Sequence, residues 1–221
     1  MKPTLQNILD KINGTIALSF SYQAEDVAAL HLLLQSKVPA FEVFTLDTHK
    51  FFPETEAYHE DVERFFHITI KRYYPDPTEV EKLEAELGEW GMRWSLENRH
   101  QCCEIRKVNP LAKALVGKSA WVTGLRQAQS ITRADLTLLE YDEQYDLFKI
   151  NPLVLWSDAD LLEYIEANTL PVHPLYAQGF KSIGCAPCTR AVKEGEDIRA
   201  GRWWWENPEH KECGLHIKGK K

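Results

Sequence analysis

The chain has 221 residues, 44% hydrophobic and 27% charged, with a formal net charge of -7. That is ordinary globular composition, long enough to bury roughly 70% of the unfolded surface, and no apolar run approaches the about 18 residues a membrane span needs. The acidic balance argues against bulk affinity for nucleic acid, so any anion site must be a local cluster of cations.

The amino-terminal residues 1–15 contain no uninterrupted apolar run, which points away from secretion and toward a reducing cytoplasm. In such a compartment structural disulfides are rare, so the five cysteines should serve metal binding or chemistry.

Residues 15–20 (TIALSF) read as a strand, 21–26 as a polar turn and 27–34 as a helix. A second strand spans 41–46. A helix over 53–66 opens on Pro53 and places Tyr58, Val62 and Phe65 at helical spacing. A strand over 67–70 and a helix over 77–87 repeat the alternation, and a helix over 103–115 leads into a strand at 119–123. Alternation of this kind predicts an α/β fold, a mostly parallel sheet with helices on both faces and ligands at the carboxyl ends of its strands. Residues 19–26, 47–54 and the Gly124-Leu-Arg turn should share that rim. After Ile150 prolines punctuate the chain, with one clear helix over 158–167 capped by Ser157. The expected organisation is one body over residues 1–205 with an irregular C-terminal extension, then a mobile tail over 206–221.

Four cysteines form two pairs, Cys102-Cys103 and Cys185-Ala-Pro-Cys188. The second pair has metal-ligand spacing, because its turn aims both sulfurs at one point. The first pair would need a helix's first turn to let both sulfurs reach one object wider than a single ion. An iron–sulfur cluster fits best on spacing; a structural zinc site, a redox disulfide and inert buried thiols stay open. Arg106 and Lys107 follow one turn on, and Arg126, Arg133, Arg199 and Arg202 stand in glycine-containing stretches suited to forked recognition of phosphate or sulfate. Each alone reads equally as a solvated surface charge; beside the cysteines they read jointly as an anion site. Trp203–Trp205 invite a base-stacking reading, but three successive rings cannot face one groove, so at least one should pack onto the body.

Six ordered motifs, residues 19–26, 46–55, 102–111, 123–126, 185–188 and 212–216, resemble the assimilatory, thioredoxin-dependent adenylyl-sulfate reductases of the APS/PAPS reductase family. The resemblance implies an adenine nucleotide alpha-hydrolase-like fold. It also implies one [4Fe-4S] cluster per chain on Cys102, Cys103, Cys185 and Cys188, and a nucleophilic Cys213 on the tail. The substrate would be adenosine 5′-phosphosulfate, held by Ser19, Ser21, Leu46, Lys107, Arg126, Arg199, Arg202 and His216. The reductant would be thioredoxin or a glutaredoxin-like protein, in sulfate assimilation and cysteine biosynthesis. Homo-oligomerisation stays open. Two positions depart from the family pattern: Tyr22-Gln23 stands where a small residue is expected, and His49-Lys50 where Gly-Arg is. Side chains in the phosphate loop argue against splitting of ATP. The rival readings are a reductase of the 3′-phosphorylated nucleotide (PAPS) or one of dual specificity, a nucleotide-dependent tRNA thiolation enzyme, and a noncatalytic nucleotide-binding protein, for which Cys213 would have no role.

Overall fold

The computed structural model describes residues 4–38, 40–130 and 133–207. Six strands form one sheet: β1 (Ile16–Ser19), β2 (Phe41–Leu46), β3 (Ile70–Tyr73), β4 (Ala120–Val122), β5 (Leu139–Asp142) and β6 (Leu147–Ile150). Their order is β3-β2-β1-β4-β6-β5, parallel except for the β5–β6 hairpin at one edge.

Helices cover both faces, which is why the central strands are apolar at consecutive positions rather than alternating with polar residues. Ile16, Leu18, Val43, Val122 and Ile150 point to one face, packed with α2 (Ala24–Gln35), α3 (Pro53–Phe66) and α7 (Asp158–Ala167). Their neighbours Ala17, Phe44 and Trp121 point to the other, against Leu111 and Leu115 of α6 (Asn109–Leu115). The period of two thus sorts one apolar run onto two cores. A short α1 (Leu5–Leu9) precedes β1, and α4 (Pro77–Leu87) is capped by Asp76, which accepts from the Thr78 and Glu79 amides at 2.9 and 3.4 Å.

Most expected elements lie where the sequence puts them, with α3, α4, α7 and β2 matching end to end. Three differ. β3 begins at Ile70 rather than His67, because α3 ends with His67 in the left-handed region at φ 54°, and the chain needs the following residues to turn onto the sheet. The β5–β6 hairpin has no counterpart in the sequence reading, because its exposed Leu139, Tyr141 and Phe148 blur the apolar pattern. The helix expected over 103–115 starts earlier, as α5 (Leu96–Cys103) capped by Ser95, and continues through a π-helical turn at Glu104–Val108. The turn has a cause: Pro110 offers no N–H, and its ring would clash with the carbonyl four residues back, so the helix widens there before α6.

Candidate functional site

The strand order reverses between β1 and β4, each continuing outward on its own side, so a crevice opens beyond their carboxyl ends. Ser19, Ser21 and Gln23 form one wall, Thr45, Leu46 and Thr48 another, and Thr123 to Leu125 a third. The loop between β1 and α2 is held by Asp26, whose Oδ2 accepts from the Ser21 amide and hydroxyl, both at 2.7 Å, and from the Gln23 amide at 3.4 Å. Burial pushes the Asp26 carboxyl up to about 6, against the pull of the Ser21 hydrogen bonds. Gly124 lets the third wall approach α2: a Cβ there would stand 2.7 Å from Asp26 Oδ1 and 2.8 Å from Glu25 Cβ.

Tyr22 resolves its own departure from the family pattern. It takes φ 67°, a conformation glycine adopts freely, yet its ring turns away from the crevice and is 1% exposed. Phe20 and Phe51 meet it edge-on at centroid distances of 5.3 and 5.5 Å, and its hydroxyl lies 2.8 Å from His59 Nδ1. The loop therefore keeps a glycine-like course with a side chain locked into the core. His49, also at positive φ (56°), stacks on Tyr74, while the Lys50 ammonium pairs with Glu84 at 3.1 Å.

Lys107, Arg199 and Arg202 line the crevice together with Arg133 and Gln129. Arg126 does not. Its guanidinium is buried between Glu25 and Asp158, 2.7 Å from each, and donates to the Trp156 carbonyl at 3.1 Å, facing the neighbouring groove beneath α7. Arg133, read from the sequence as one of the anion-site cations, thus lines the crevice ten residues after Thr123; Gln129, six residues after Thr123, is a lining residue that the sequence reading did not include. Cys213 and His216 lie outside the described residues.

The two cysteine pairs meet. Cys102 and Cys103 end α5, in its last turn rather than a first turn as anticipated, where the widening of the helix begins. Cys185 caps, and Cys188 ends, a single 3₁₀ turn, Ala186–Cys188. All four are free thiols and line one small cleft with Arg106, Lys107, Arg202 and Trp203. That cleft adjoins the crevice, since Lys107, Cys185, Arg202 and Trp203 line both. Ties from the β2 rim reach the same turn: the Ala186 amide donates to the Lys50 carbonyl at 2.7 Å, and Thr48 Oγ1 lies 3.3 Å from Cys185 Sγ.

Electrostatics couple the thiols. Burial, then the charges of Cys185 and Cys103, push the Cys188 thiol up to about 12, and burial with the Cys185 charge raises Cys102. Burial opposes ionisation of Cys185 as well, but Lys107, the Thr48 hydroxyl and Arg202 carry it below its ordinary value. Four thiolates cannot share this cleft unless a cationic group joins them, and an all-sulfur donor set suits iron–sulfur ligation. Among the described residues no group of three or more His, Cys, Asp or Glu is disposed to hold a single metal ion.

A cation-lined crevice at the switch point of a mostly parallel sheet, bordered by a four-cysteine cleft, stands on an α/β fold of the adenine nucleotide alpha-hydrolase-like kind. The phosphoadenosine phosphosulfate reductase domain matches residues 15–191, and the chain belongs to that family. It is 47% identical over 202 residues to the adenosine 5′-phosphosulfate reductase of Allochromatium vinosum, covering 91% of this chain and 78% of that one. It is 50% identical over 206 residues to the enzyme of that name from Sinorhizobium fredii (strain NBRC 101917 / NGR234), covering 93% and 82%. Among solved structures, a phosphoadenylyl-sulfate (PAPS) reductase from Candida auris in complex with phosphate is similar with a TM-score of 0.69 at 25% identity, covering 86% of this chain and 91% of that one. Yeast FAD synthetase shares the fold at a TM-score of 0.58 and 15% identity, covering 85% and 62%. Among the described residues, no helix is long and apolar enough to cross a membrane.

Proposed function

We propose that this chain reduces adenosine 5′-phosphosulfate to sulfite and AMP with the dithiol of thioredoxin or a glutaredoxin-like protein, in the cytoplasm, through a sulfonated Cys213. One observation carries the reading: Lys107, Arg202 and Cys185 stand on both the nucleotide crevice and the cysteine cleft.

The Cys213 thiolate attacks the sulfur of the phosphosulfate. A sulfur–sulfur bond forms, the bond from sulfur to the bridging phosphate oxygen breaks, and AMP departs with that electron pair. One thiolate of the reductant then attacks Cys213 Sγ and sulfite leaves with the S–S electron pair. The second reductant thiol resolves the mixed disulfide and restores Cys213. Both electrons come from the reductant dithiol. Ser19, Ser21 and Leu46 frame the nucleotide; Lys107, Arg199 and Arg202 neutralise the phosphosulfate and the charge growing on the departing phosphate. Arg126 braces Glu25 at the crevice wall. His216, three residues past the thiol, supplies a further cation or hydrogen-bond donor. Cys102, Cys103, Cys185 and Cys188 would hold a [4Fe-4S] cluster, one per chain, which when bound cross-links α5 to the 185–188 turn and sets the local charge.

The test is an intact-protein mass spectrum of anaerobic protein mixed with adenosine 5′-phosphosulfate and no thiol. A sulfo adduct mapped to Cys213 and absent from Cys213→Ser is the expected result. An adduct formed only with the 3′-phosphorylated nucleotide would move the substrate to PAPS, and none with either would overturn the covalent mechanism.

A further inference from the structure

The segment that leads into the C-terminal tail is fastened to both cysteine-bearing elements, and two arginines do the fastening. Arg93 donates through Nε and Nη2 to the Pro187 carbonyl, between the two cysteines of the turn, at 3.1 and 2.6 Å. Its guanidinium lies 4.4, 4.7 and 5.1 Å from the ring centroids of Trp90, Trp204 and Trp205. Arg99, three residues before Cys102 and fully buried, pairs with Glu206 at 2.5 Å and stacks 4.7 Å over Trp203. From the other side, the Trp203 amide donates to the Cys188 carbonyl at 3.1 Å. Each cation–ring contact of this kind is attractive even without a carboxylate, and more so where water is excluded.

This fastening exceeds what the turn needs. The 185–188 turn is already held to the rim by the Lys50 carbonyl and closed by its own Cys188 amide on the Cys185 carbonyl at 2.9 Å. What the two arginines add is a fixed position for residues 203–206. Six residues lie between Glu206 and Cys213, so the seven steps from one Cα to the other carry residue 213 no more than about 25 Å from the anchor.

We infer that Arg93 and Arg99 are positioning residues for sulfo transfer, pinning the root of the Cys213-bearing chain to the two elements that carry the four cysteines. The inference rests on the reading of Cys213 as nucleophile. Neither arginine lines the nucleotide crevice, so the anchor acts on the approach of the thiol and not on nucleotide affinity. Ligation of the four cysteines and placement of the nucleophile then become one structural event, which gives a group that donates no electrons a reason to be there.

The experiment compares parent holoenzyme with Arg93→Gln and with the milder Glu206→Gln. Four quantities are read: iron per chain, the AMP dissociation constant, the saturating rate of Cys213 adduct formation per iron-loaded chain, and tryptic cleavage after Lys211. The expected result is parental iron and AMP affinity, an adduct rate lower on the order of tenfold or more, and several-fold faster cleavage. A parental rate per loaded chain in both variants would overturn the inference, as would a rate loss that merely follows iron loss. Failure of the parent to form any adduct would instead remove the proposed function, while unchanged cleavage in both variants would sink the anchor independently.

Discussion

The nucleotide rim and the cysteine cleft border one another but are built on different physics. The rim is made by the sheet: its residues sit at strand ends whose register is set by apolar packing on two faces, and the loop is steadied by one buried carboxylate and one buried ring. The cleft has no sheet beneath it. It joins a helix end, a 3₁₀ turn and a tryptophan-rich segment through arginines placed on carbonyls, rings and one glutamate. The difference teaches where each can be broken. A rim substitution should cost stability or nucleotide affinity; a cleft substitution should cost geometry between elements that remain folded.

The largest effect should come from Arg126→Ala, which leaves the Glu25 carboxylate, 8% exposed, without the guanidinium 2.7 Å away. Removing one member of a buried pair costs about 3–5 kcal/mol, a fall of about 10 °C in melting midpoint for a chain of this size. AMP affinity should fall far less. A variant that melts normally yet fails to bind AMP would instead place Arg126 on the substrate.

Next comes Asp26→Asn, read against pH. The Asp26 carboxyl is raised from 3.8 to about 6 by burial, so the native state keeps a proton that the unfolded chain has lost. Its contribution is present below about pH 4 and is lost as pH rises through 6, worth about 3 kcal/mol over the window. His173 runs the opposite way: burial holds it at about 4, so its contribution is present above pH 6.5 and lost as pH falls toward 4. The two slopes offset one another in the parent. Asp26→Asn keeps an oxygen for Ser21 but removes one slope, so its melting midpoint should exceed the parent's at pH 7 and fall below that advantage as the solution is acidified. Parallel profiles for the two proteins would show that Asp26 does not titrate in this range.

Legibility divides along the same line. β2, α3, α4 and α7 were readable because each carries its own signals: a period of two or 3.6, Pro at the first turn, a Ser or Asp cap. The four cysteines were readable as one site because their spacing is local to each pair. Arg93 and Arg99 were not, since nothing near either residue announces partners about 94 and 107 positions away, at Pro187 and Glu206. Arg126 was readable as a cation but not as a neutralised one, because Glu25 lies 101 residues earlier. The position of the cysteine pair was displaced by Pro110, whose demand for a wider helical turn acts backward along the chain.

Gly184→Ala tests the border itself. A Cβ there would stand 2.4 Å from Arg202 Nη2 and 2.6 Å from its Cζ, and Arg202 is further held by the Ile183 carbonyl at 2.8 Å. The guanidinium must yield, because the three atoms nearest such a Cβ all belong to it. AMP affinity should drop on the order of tenfold, about 1.4 kcal/mol, with iron content retained; parental affinity would remove Arg202 from the phosphate end.

The smallest effect separates two explanations of the rim loop. Tyr22 holds φ 67° at a cost that a non-glycine residue must recover elsewhere, either from its ring or from its hydroxyl. The ring packs edge-on against Phe20, Phe51 and His59, whereas the hydroxyl lies 2.8 Å from His59 Nδ1 and also hydrogen-bonds the Thr45 side chain. Tyr22→Phe keeps the first and deletes the second, leaving a buried ring nitrogen unsatisfied at about 1–2 kcal/mol. If the ring fixes the loop, that variant melts slightly lower and binds AMP as the parent does, while Tyr22→Gly, free to adopt the angle but unanchored, binds more weakly. Equal loss of affinity in both would assign the loop's course to the hydroxyl and make the Tyr22–His59 hydrogen bond, not the core packing, the substitute for the family's small residue.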